Sequence, residues 1–390
     1  MSTPATPAVD GAIDRALSEQ RIVGAVVLIA RDGETVVRRA VGLADRERNV
    51  PMREQAVFRL ASLTKPIVTA AAMRMLELGR FTLTDPVTKF LPSFRPALAN
   101  GEVPVITLRH LLTHTAGLSY GFMQPRDGSY HRAGVSDGLG EPGVTTEDEL
   151  ARVVRAGLAY RPGENWAYSV ALDVLGFVMQ VVENADLEAI VRKYVCAPLG
   201  MKSMGFDLQA SQRELLVTPY ADGKPAPVRI PDEGTRVHFP DGVPAYANLA
   251  GISLGPSRLF DKASFRSAGG GMVGTAGDML AFLEAIRRGG APILSAETVR
   301  SMMTVQTGDM LTMRGPGSGF GYGGAVVTDP KAALTPQSVG TWSWGGVWGH
   351  TWFVDPVKKL SVVSLTNTAL EGMIGRYVRE LRDAVYADFA

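Results

Sequence analysis

The sequence predicts an α+β fold in which both ends of the chain form one antiparallel sheet flanked by helices. Apolar, β-branched runs that suit strands lie near the N-terminus and again near the C-terminus. Between them, helical segments alternate with loops rich in proline and glycine. We therefore expect a sheet domain from residues 1–80 and 323–390, and a mainly helical inserted domain from residues 81–322.

The N-terminal part is predicted to form a helix, a β-hairpin and a second helix. Asp32-Gly33 is a strong signal for a two-residue hairpin turn between apolar runs. Gly79 is expected to end the second helix. The elements are a helix at Val9–Ser18, strands at Gly24–Arg31 and Glu34–Val41, and a helix from Ser62 to about Leu78, which Phe58–Ala61 leads into.

The middle of the chain carries six predicted helices. Residues 206–265 contain several prolines and short apolar runs, which favours an irregular or β-containing excursion within this region. The predicted helices are Leu108–Leu112, Thr146–Ala156, Leu172–Val182, Leu187–Val195, Ala276–Arg288 and Ala296–Met303.

The C-terminal part returns to strands before a closing helix. Trp342–Val354 and Leu360–Thr366 are β-rich runs, and Asp355-Pro356 begins the turn between them. Arg376–Tyr386 has the pattern of an amphipathic helix. A cleft is expected where the sheet and the helical region meet, and such clefts commonly bind small molecules.

Composition narrows the classes of partner. Lysine and arginine number 40 and aspartate and glutamate 39, so the net charge of +1 gives no reason to expect nucleic acid or an acidic membrane. No signal peptide and no apolar run of about 18 residues is visible, and a cytoplasmic location is the default expectation. Cys196, the single cysteine, lies in an apolar stretch and is expected to be buried and inert. The oligomeric state stays open.

Ser62-Leu63-Thr64-Lys65 is the main candidate for a catalytic motif. Residues three apart share one face of a helix, so Lys65 can reach the Ser62 hydroxyl. A serine is a weak nucleophile until a base stands beside it, and S-x-x-K is a known nucleophile motif. The alternative is that Ser62 only caps the helix.

A second serine competes for the same role. Gly117-Leu118-Ser119-Tyr120-Gly121 fits the G-x-S-x-G nucleophile elbow, which requires a strand before it and a helix after it. Here a helix end precedes the motif and a loop-like segment follows, and no histidine has a matching context. We therefore favour Ser62 over Ser119.

A tyrosine offers a partner for the serine. Tyr168 follows Pro162-Gly163 and stands at the junction between a loop and a helix, where a phenol can point into a cleft and act as a base. By itself Tyr168 could equally be an ordinary half-buried aromatic residue.

The order of these motifs resembles that of the serine β-lactamase-like superfamily, with its β-lactamase/transpeptidase-like fold. Within it, the chain is most similar to family VIII carboxylesterases, which share the class C β-lactamase fold. The resemblance covers residues 20–385. It rests on Ser62-x-x-Lys65, Leu111–Leu118 (LLTHTAGL), Pro162-Gly163…Tyr168-Ser169, Ala268–Met272 with Thr275–Asp278, and Trp344-Gly345-Gly346.

The resemblance implies roles for individual residues. Ser62 would be acylated, with Lys65 and Tyr168 as its general base and acid. The backbone N–H groups of Ser62 and Val347 would form the oxyanion hole. Trp344-Gly345-Gly346 takes the place of the Lys-Thr-Gly strand of β-lactamases, and its glycines would let substrate approach the strand. No cofactor is implied.

Two departures from the β-lactamase pattern bear on the substrate. Val170 stands where the tyrosine motif has asparagine, and Trp344 stands where the strand motif has lysine. Exchanging a cation for an indole removes charge complementarity to a carboxylate and adds apolar area. We therefore expect short-chain, uncharged acyl esters as substrates, with weak hydrolysis of cephalosporins as a side activity.

Other residues near the motifs are candidates for contacts with substrate, with ordinary packing as the alternative. They are Tyr120, Phe122, Met123, Trp348 and His350. His110 and His114 could share a helix face, but the glutamate of the H-E-x-x-H motif and a third ligand are missing, so no metal site is expected.

Three alternatives to an esterase remain at this stage. The same scaffold serves acyltransferases and D-amino acid peptidases or amidases, which differ in the acceptor or the bond cleaved. A catalytically silent binding protein is the third alternative, and the intact set of Ser62, Lys65 and Tyr168 argues against it. The expected partner is a small-molecule ester.

Overall fold

The structure, a computed structural model, describes residues 6–239 and 248–389. The helices are α1 (Pro7–Ser18), α2 (Thr64–Glu77), α3 (Leu108–Leu112), α4 (Ser129–Ala133), α5 (Thr146–Ala156), α6 (Ala171–Glu183), α7 (Leu187–Val191), α8 (Ala276–Arg287), α9 (Ala296–Met302) and α10 (Arg376–Phe389). The strands are β1 (Gly24–Arg31), β2 (Glu34–Asp45), β3 (Val50–Pro51), β4 (Phe58–Arg59), β5 (Tyr220–Ala221), β6 (Val228–Arg229), β7 (Thr235–Val237), β8 (Ile252–Leu254), β9 (Val273–Gly274), β10 (Ser318–Phe320), β11 (Ala325–Val327), β12 (Trp342–Gly346), β13 (His350–Asp355) and β14 (Leu360–Thr366).

One eight-stranded antiparallel sheet joins the two ends of the chain. Its strand order is β10-β11-β12-β13-β14-β1-β2-β3, so the C-terminal strand β14 pairs with the N-terminal strand β1. Their register runs from Ala25 opposite Thr366 to Arg31 opposite Leu360. This architecture confirms the predicted fold class, an antiparallel sheet built from both chain ends with helices around it.

Helices cover both faces of the sheet, which explains why β1 is apolar throughout rather than alternating. Successive side chains of a strand point to opposite faces. Val27 and Ile29 pack in one core with Ile13 of α1 and Val385 of α10. Val26, on the opposite face, belongs to the larger core beneath α8 and α2. A strand that is buried on both faces becomes a continuous hydrophobic run.

Most predicted elements agree with the structure to within a few residues, but the C-terminal β-rich run does not. The predicted single run Trp342–Val354 is two strands, β12 and β13, joined by a tight turn over 347–349. Gly349 has a φ of 112°, and its N–H donates to the carbonyl of Gly346 at 2.9 Å. Both strands are buried, so apolar residues run through the turn and conceal it.

Two predicted helices differ in their local form. The segment that begins at Ser62 starts as a 3₁₀ turn, Ala61–Leu63, and becomes α-helical at Thr64. The predicted helix Leu187–Val195 is α-helical only to Val191 and continues as one π-helical turn, Arg192–Cys196. In that turn Cys196 is buried, and burial raises the pKa of its thiol to about 12.

The predicted domain boundaries remain a prediction. Strand β10 begins at residue 318, and α8 packs on β14 and β1, although both were assigned to the helical insertion. The excursion at 206–265 contains the short ladders β5–β6 and β7–β8, and its residues 240–247 lie outside the described part. Residues 1–5 and 390 of the predicted sheet domain also lie outside it. No helix in the described ranges is long and apolar enough to span a membrane.

Candidate active site

A short strand pairing fixes the turn that carries Ser62. Strand β4, just before this turn, pairs with β9. The N–H of Leu60 donates to the carbonyl of Met272 at 2.8 Å, and the N–H of Met272 donates to Thr64 Oγ1 at 3.1 Å. Ala61, between them, has a φ of 46°, which L-residues other than glycine adopt rarely. The turn is thus held from both sides, and the Ser62 side chain borders a pocket.

Lys65 lies one turn into α2 and is buried. Its Nζ is 3.2 Å from Ser62 Oγ and donates to the carbonyl of Gly269 at 2.6 Å. The same ammonium group lies over the rings of Tyr168 and Tyr120, at 4.6 and 5.1 Å from their centres. These contacts compensate part of the cost of removing a cation from water. The predicted approach of Lys65 to Ser62 is present in the structure.

Tyr168 completes the group from a loop in front of α6. A hydrogen bond of 2.6 Å joins its Oη to Ser62 Oγ, and Trp344 Nε1 donates to the same Oη at 3.1 Å. The N–H of Ala167 donates to the carbonyl of His114 at 3.0 Å, which holds this loop in place. Ser62, Lys65, Tyr168 and Trp344 therefore converge from three separate parts of the chain.

Asp173 is a buried acidic residue that the sequence analysis did not identify. Its Oδ1 accepts hydrogen bonds from Ser267 Oγ at 2.6 Å and from the N–H of Gly269 at 3.0 Å. It thereby anchors the backbone of Gly269, the residue whose carbonyl accepts from Lys65. A lone aspartate inside the apolar helix α6 was the available signal, since such a residue needs partners when buried.

Burial raises the pKa values of three carboxyl groups behind this site. The pKa of Asp173 rises through burial, against opposing effects of its Ser267 hydrogen bond and the Lys65 charge. Burial raises the pKa of Glu149 to about 8 and that of Asp137 to about 7, and repulsion from Asp173 adds to both shifts. Removing carboxylates from water disfavours their charged form, as these shifts reflect.

A small pocket of about 90 Å³ opens at Ser62. Much of its wall is apolar, and it contains five of the residues that the sequence analysis assigned to substrate or oxyanion binding: Tyr120, Phe122, Trp344, Gly345 and Val347. The other lining residues are Asp137, Leu139, Tyr168, Phe239, Ile252, Gly269, Met313, Arg314, Met373 and Ile374.

Trp348 and His350 do not line this pocket, contrary to the prediction. His350 is buried at the start of β13, with its Nε2 2.7 Å from the carbonyl oxygen of Arg59, and burial lowers its pKa to about 4. Trp348 lies against the guanidinium of Arg59, 5.8 Å from the ring centre, and borders a different cavity. Trp348 lies in the tight turn after β12 and His350 follows it at the start of β13, and neither residue lines the pocket of Ser62. Met123 is also absent from the lining residues.

Gly346 has a packing role instead of the expected contact with substrate. A Cβ at this position would lie 2.5 Å from the carbonyl oxygen of Leu60, which is too close for any other residue. Glycine therefore allows β12 to lie directly against the turn that carries Ser62. Its neighbour Val347 borders the pocket. No acceptor for the N–H groups of Ser62 and Val347 is found among residues 6–239 and 248–389.

The competing serine and the histidine pair have structural contacts. Ser119 is buried in a loop after α3, and its Oγ donates to the carbonyl of Tyr120 at 3.1 Å. Nδ1 of His110 accepts from the N–H of Thr107, while His114 Nδ1 is 3.1 Å from Ser169 Oγ. The described residues contain no group of three or more metal-ligating side chains suited to a metal ion.

Arg314 places a positive charge at the edge of the pocket. Its guanidinium carbon lies 4.9 Å from the centre of the Trp344 ring, and the residue lines the pocket with Ser62. The indole at position 344 removes the strand cation of β-lactamases, but this arginine supplies a cation nearby. Position 314 lies in a loop far from every motif, so no sequence pattern indicates a role for it.

Comparisons with known proteins cover nearly the whole chain. The family model described as Beta-lactamase matches residues 9–387. Esterase EstB of Burkholderia gladioli is 48% identical over 380 residues, covering 97% of this chain and 94% of that protein. Protein Rv1367c of Mycobacterium tuberculosis (strain ATCC 25618 / H37Rv) is 31% identical over 369 residues, covering 88% and 85%.

A solved structure shows the same fold at substantial sequence identity. EstCE1, described as a hydrolase with promiscuous acyltransferase activity, superposes with a TM-score of 0.91 at 44% identity, covering 97% of this chain and 98% of that one.

Proposed function

The chain belongs to the beta-lactamase family and is a serine hydrolase, and we propose that it is a carboxylesterase for short-chain acyl esters. The observation that carries the proposal is the 2.6 Å hydrogen bond between Tyr168 Oη and Ser62 Oγ, with Lys65 Nζ at 3.2 Å. A nucleophile within hydrogen-bond distance of its base is the arrangement that serine catalysis needs. The identity to Esterase EstB supports the ester as substrate class.

The proposed reaction begins with acyl transfer to Ser62. Its Oγ bonds to the ester carbonyl carbon while its proton passes to whichever of Lys65 and Tyr168 is unprotonated. The carbonyl electrons move to the oxygen, which accepts hydrogen bonds from the N–H groups of Ser62 and Val347. Collapse of this oxyanion breaks the bond to the alkoxide, and Tyr168 protonates the leaving group. Water then attacks the acyl-enzyme by the same steps, releasing the acid and restoring the Ser62 hydroxyl.

The walls of the pocket support short, uncharged acyl groups. Phe122, Leu139 and Ile252 are apolar, and the cavity of about 90 Å³ has little room for a long chain. Trp344 adds its indole face to this wall while its Nε1 donates to Tyr168. A short acyl chain buries its apolar surface here without leaving a charge unpaired.

Arg314 is a candidate to bind the carboxylate of a β-lactam substrate. Cephalosporins carry a carboxylate, and a guanidinium matches a carboxylate geometrically. We propose that Arg314, rather than residue 344, supports weak hydrolysis of these substrates. Transfer of the acyl group to an added alcohol is a second candidate activity, which the described activity of EstCE1 favours.

Exchanging the two candidate serines separately tests the nucleophile. Ser62→Ala is expected to lower kcat/KM for p-nitrophenyl butyrate by about 10³-fold or more, since the acyl acceptor is removed. Ser119→Ala is the matched control and should stay within about threefold, because its hydroxyl donates to the backbone carbonyl of Tyr120 and does not line the pocket of Ser62. Full activity in Ser62→Ala would disprove the assignment, and loss of activity only in Ser119→Ala would favour the elbow.

Two substitutions at Asp173 test whether it positions Lys65. Asp173→Ala removes the acceptor that anchors Gly269, so kcat should fall by roughly 10–100-fold through misplacement of Lys65, with little change in KM. Asp173→Asn keeps an acceptor oxygen and should retain most of kcat. Steady-state kinetics and thermal unfolding of both variants provide the comparison. Equal losses of kcat in the two variants would show that the charge matters and not the anchor.

Arg314→Gln separates acidic from neutral substrates. The proposal expects kcat/KM for nitrocefin to fall about 3–10-fold, because one exposed carboxylate contact is lost. Hydrolysis of neutral p-nitrophenyl acetate should not change. Lys331→Gln, an exposed position outside the pocket lining, removes the same charge and is the control. A parallel decrease for both substrates would contradict the proposed role.

A further inference from the structure

A second cavity lies behind the nucleophile turn and is larger than the pocket at Ser62. Its volume is about 260 Å³, and it shares only Leu139 with that pocket. Arg59, three residues before Ser62, lines it together with Trp348, which follows the proposed oxyanion donor Val347. The proposed ester chemistry uses none of the side chains that are specific to this cavity.

The charge of the cavity wall is strongly positive. Five cationic side chains and two carboxylates line it, in a chain whose total net charge is +1. The cations are Arg59, Arg213, Arg258, Lys262 and Arg266, and the carboxylates are Asp207 and Asp261. Such a concentration of one sign within a concave surface attracts anions.

Both carboxylates of the cavity wall, and two of its five cations, are already bound to other groups of the protein. Asp207 pairs with Arg266 at 2.7 Å. Asp261 accepts from Ser264 Oγ at 2.6 Å and from nearby backbone N–H groups. The guanidinium of Arg258 donates to three backbone carbonyls and to Ser264. Arg59, Arg213 and Lys262 are therefore the cations of the wall that could bind an added anion.

Arg59 is the cation at the inner end of the cavity, and its partners are weak. Among the described residues, its guanidinium donates to the carbonyls of Pro256 and Val217, at 3.2–3.4 Å. Burial lowers its pKa to about 10, against the attraction of Asp232. No carboxylate within the described ranges lies within 4.0 Å of it. An anionic ligand beside the Arg59 guanidinium would therefore stabilise this buried charge.

Arg213 and Lys262 stand at the rim, and aromatic rings form the wall between rim and interior. Both cations are exposed, and neither forms an ion pair within the described part of the chain. Arg213 lies over the ring of Phe260 at 5.8 Å from its centre. Further apolar surface comes from Phe206, Phe265 and Trp348.

We propose that this cavity binds a small organic carboxylate with a planar, apolar body. The carboxylate would pair with Arg59, whose planar guanidinium presents parallel N–H donors that match two carboxylate oxygens. The aromatic wall would contact the apolar body, and Arg213 and Lys262 would attract the anion at the entrance. The volume of about 260 Å³ suits a molecule the size of benzoate.

Calorimetric titration of the full-length protein with benzoate tests the site. The enzyme is titrated before and after its serine is capped with a small phosphonate, with mass spectrometry verifying the adduct. One benzoate per chain should bind the capped enzyme, because the cavity is separate from the Ser62 pocket. Loss of binding on capping would place the anion in the Ser62 pocket and overturn the proposal. Should no adduct form, the proposed nucleophile is in doubt, while the variants below still decide the cavity.

Substitutions at the rim provide variants that do not disturb the interior. Arg213→Gln with Lys262→Gln should weaken benzoate binding roughly 3–10-fold, as expected for exposed charges. Arg48→Gln with Lys331→Gln removes the same charge at exposed positions outside the cavity lining and should leave the affinity within about twofold. Arg59→Gln should weaken it by more than about tenfold, since a charge-assisted hydrogen bond is lost.

The ligand class is tested with two further compounds. Benzamide has the same body without the charge and should bind at least about tenfold more weakly than benzoate. Inorganic phosphate has charge without the apolar body and should also bind more weakly. Equal binding of benzamide, tighter binding of phosphate, no binding of benzoate, or equal losses in the rim and control variants would each overturn the proposal.

Discussion

The contact on which the site depends is the hydrogen bond between Ser62 and Tyr168, because it requires three distant parts of the chain to meet at one oxygen. Ser62 is presented by a turn pinned between β4 and α2, and Tyr168 by the loop before α6. Trp344 on β12 donates to Tyr168 from the sheet. The glycine at position 346 lets β12 approach the turn of Ser62 closely. The pairing of β1 with β14 joins the N-terminal strands, which precede the turn of Ser62 in the chain, to the sheet that contains β12.

Burial of Lys65 is the second constraint, and the surrounding residues are arranged to compensate it. The ammonium group has the Gly269 carbonyl as acceptor and two tyrosine rings beside it. Asp173 anchors the Gly269 peptide and adds a nearby carboxyl group. A rigid, partly dehydrated amino group beside the serine follows from this arrangement, since electrostatic contacts strengthen where water is excluded. The contacts that compensate the burial of Lys65 are thus the same contacts that hold its Nζ beside Ser62.

The sequence predicted the antiparallel sheet, most helices and the group Ser62, Lys65 and Tyr168, because these depend on local spacing and motif order. It did not predict contacts set by tertiary packing. The turn at 347–349 was hidden in an apolar run, so Trp348 and His350 were expected at a pocket whose lining does not include them. Asp173 and Arg314 lie outside every motif, and only the fold brings them to the pocket region. The role of Gly346 depends on a carbonyl 286 positions earlier in the chain, at Leu60.

The central claim is that Ser62 carries the acyl group during turnover. The most direct measurement is to quench the enzyme in acid while it turns over p-nitrophenyl acetate, digest it and locate the acetyl group by mass spectrometry. If Ser62 is the nucleophile, the acetyl group is found on the peptide that contains Ser62, and more of it accumulates if deacylation limits the rate. An acetyl group on Ser119, or a burst of p-nitrophenol with no acetyl group on Ser62, would contradict it.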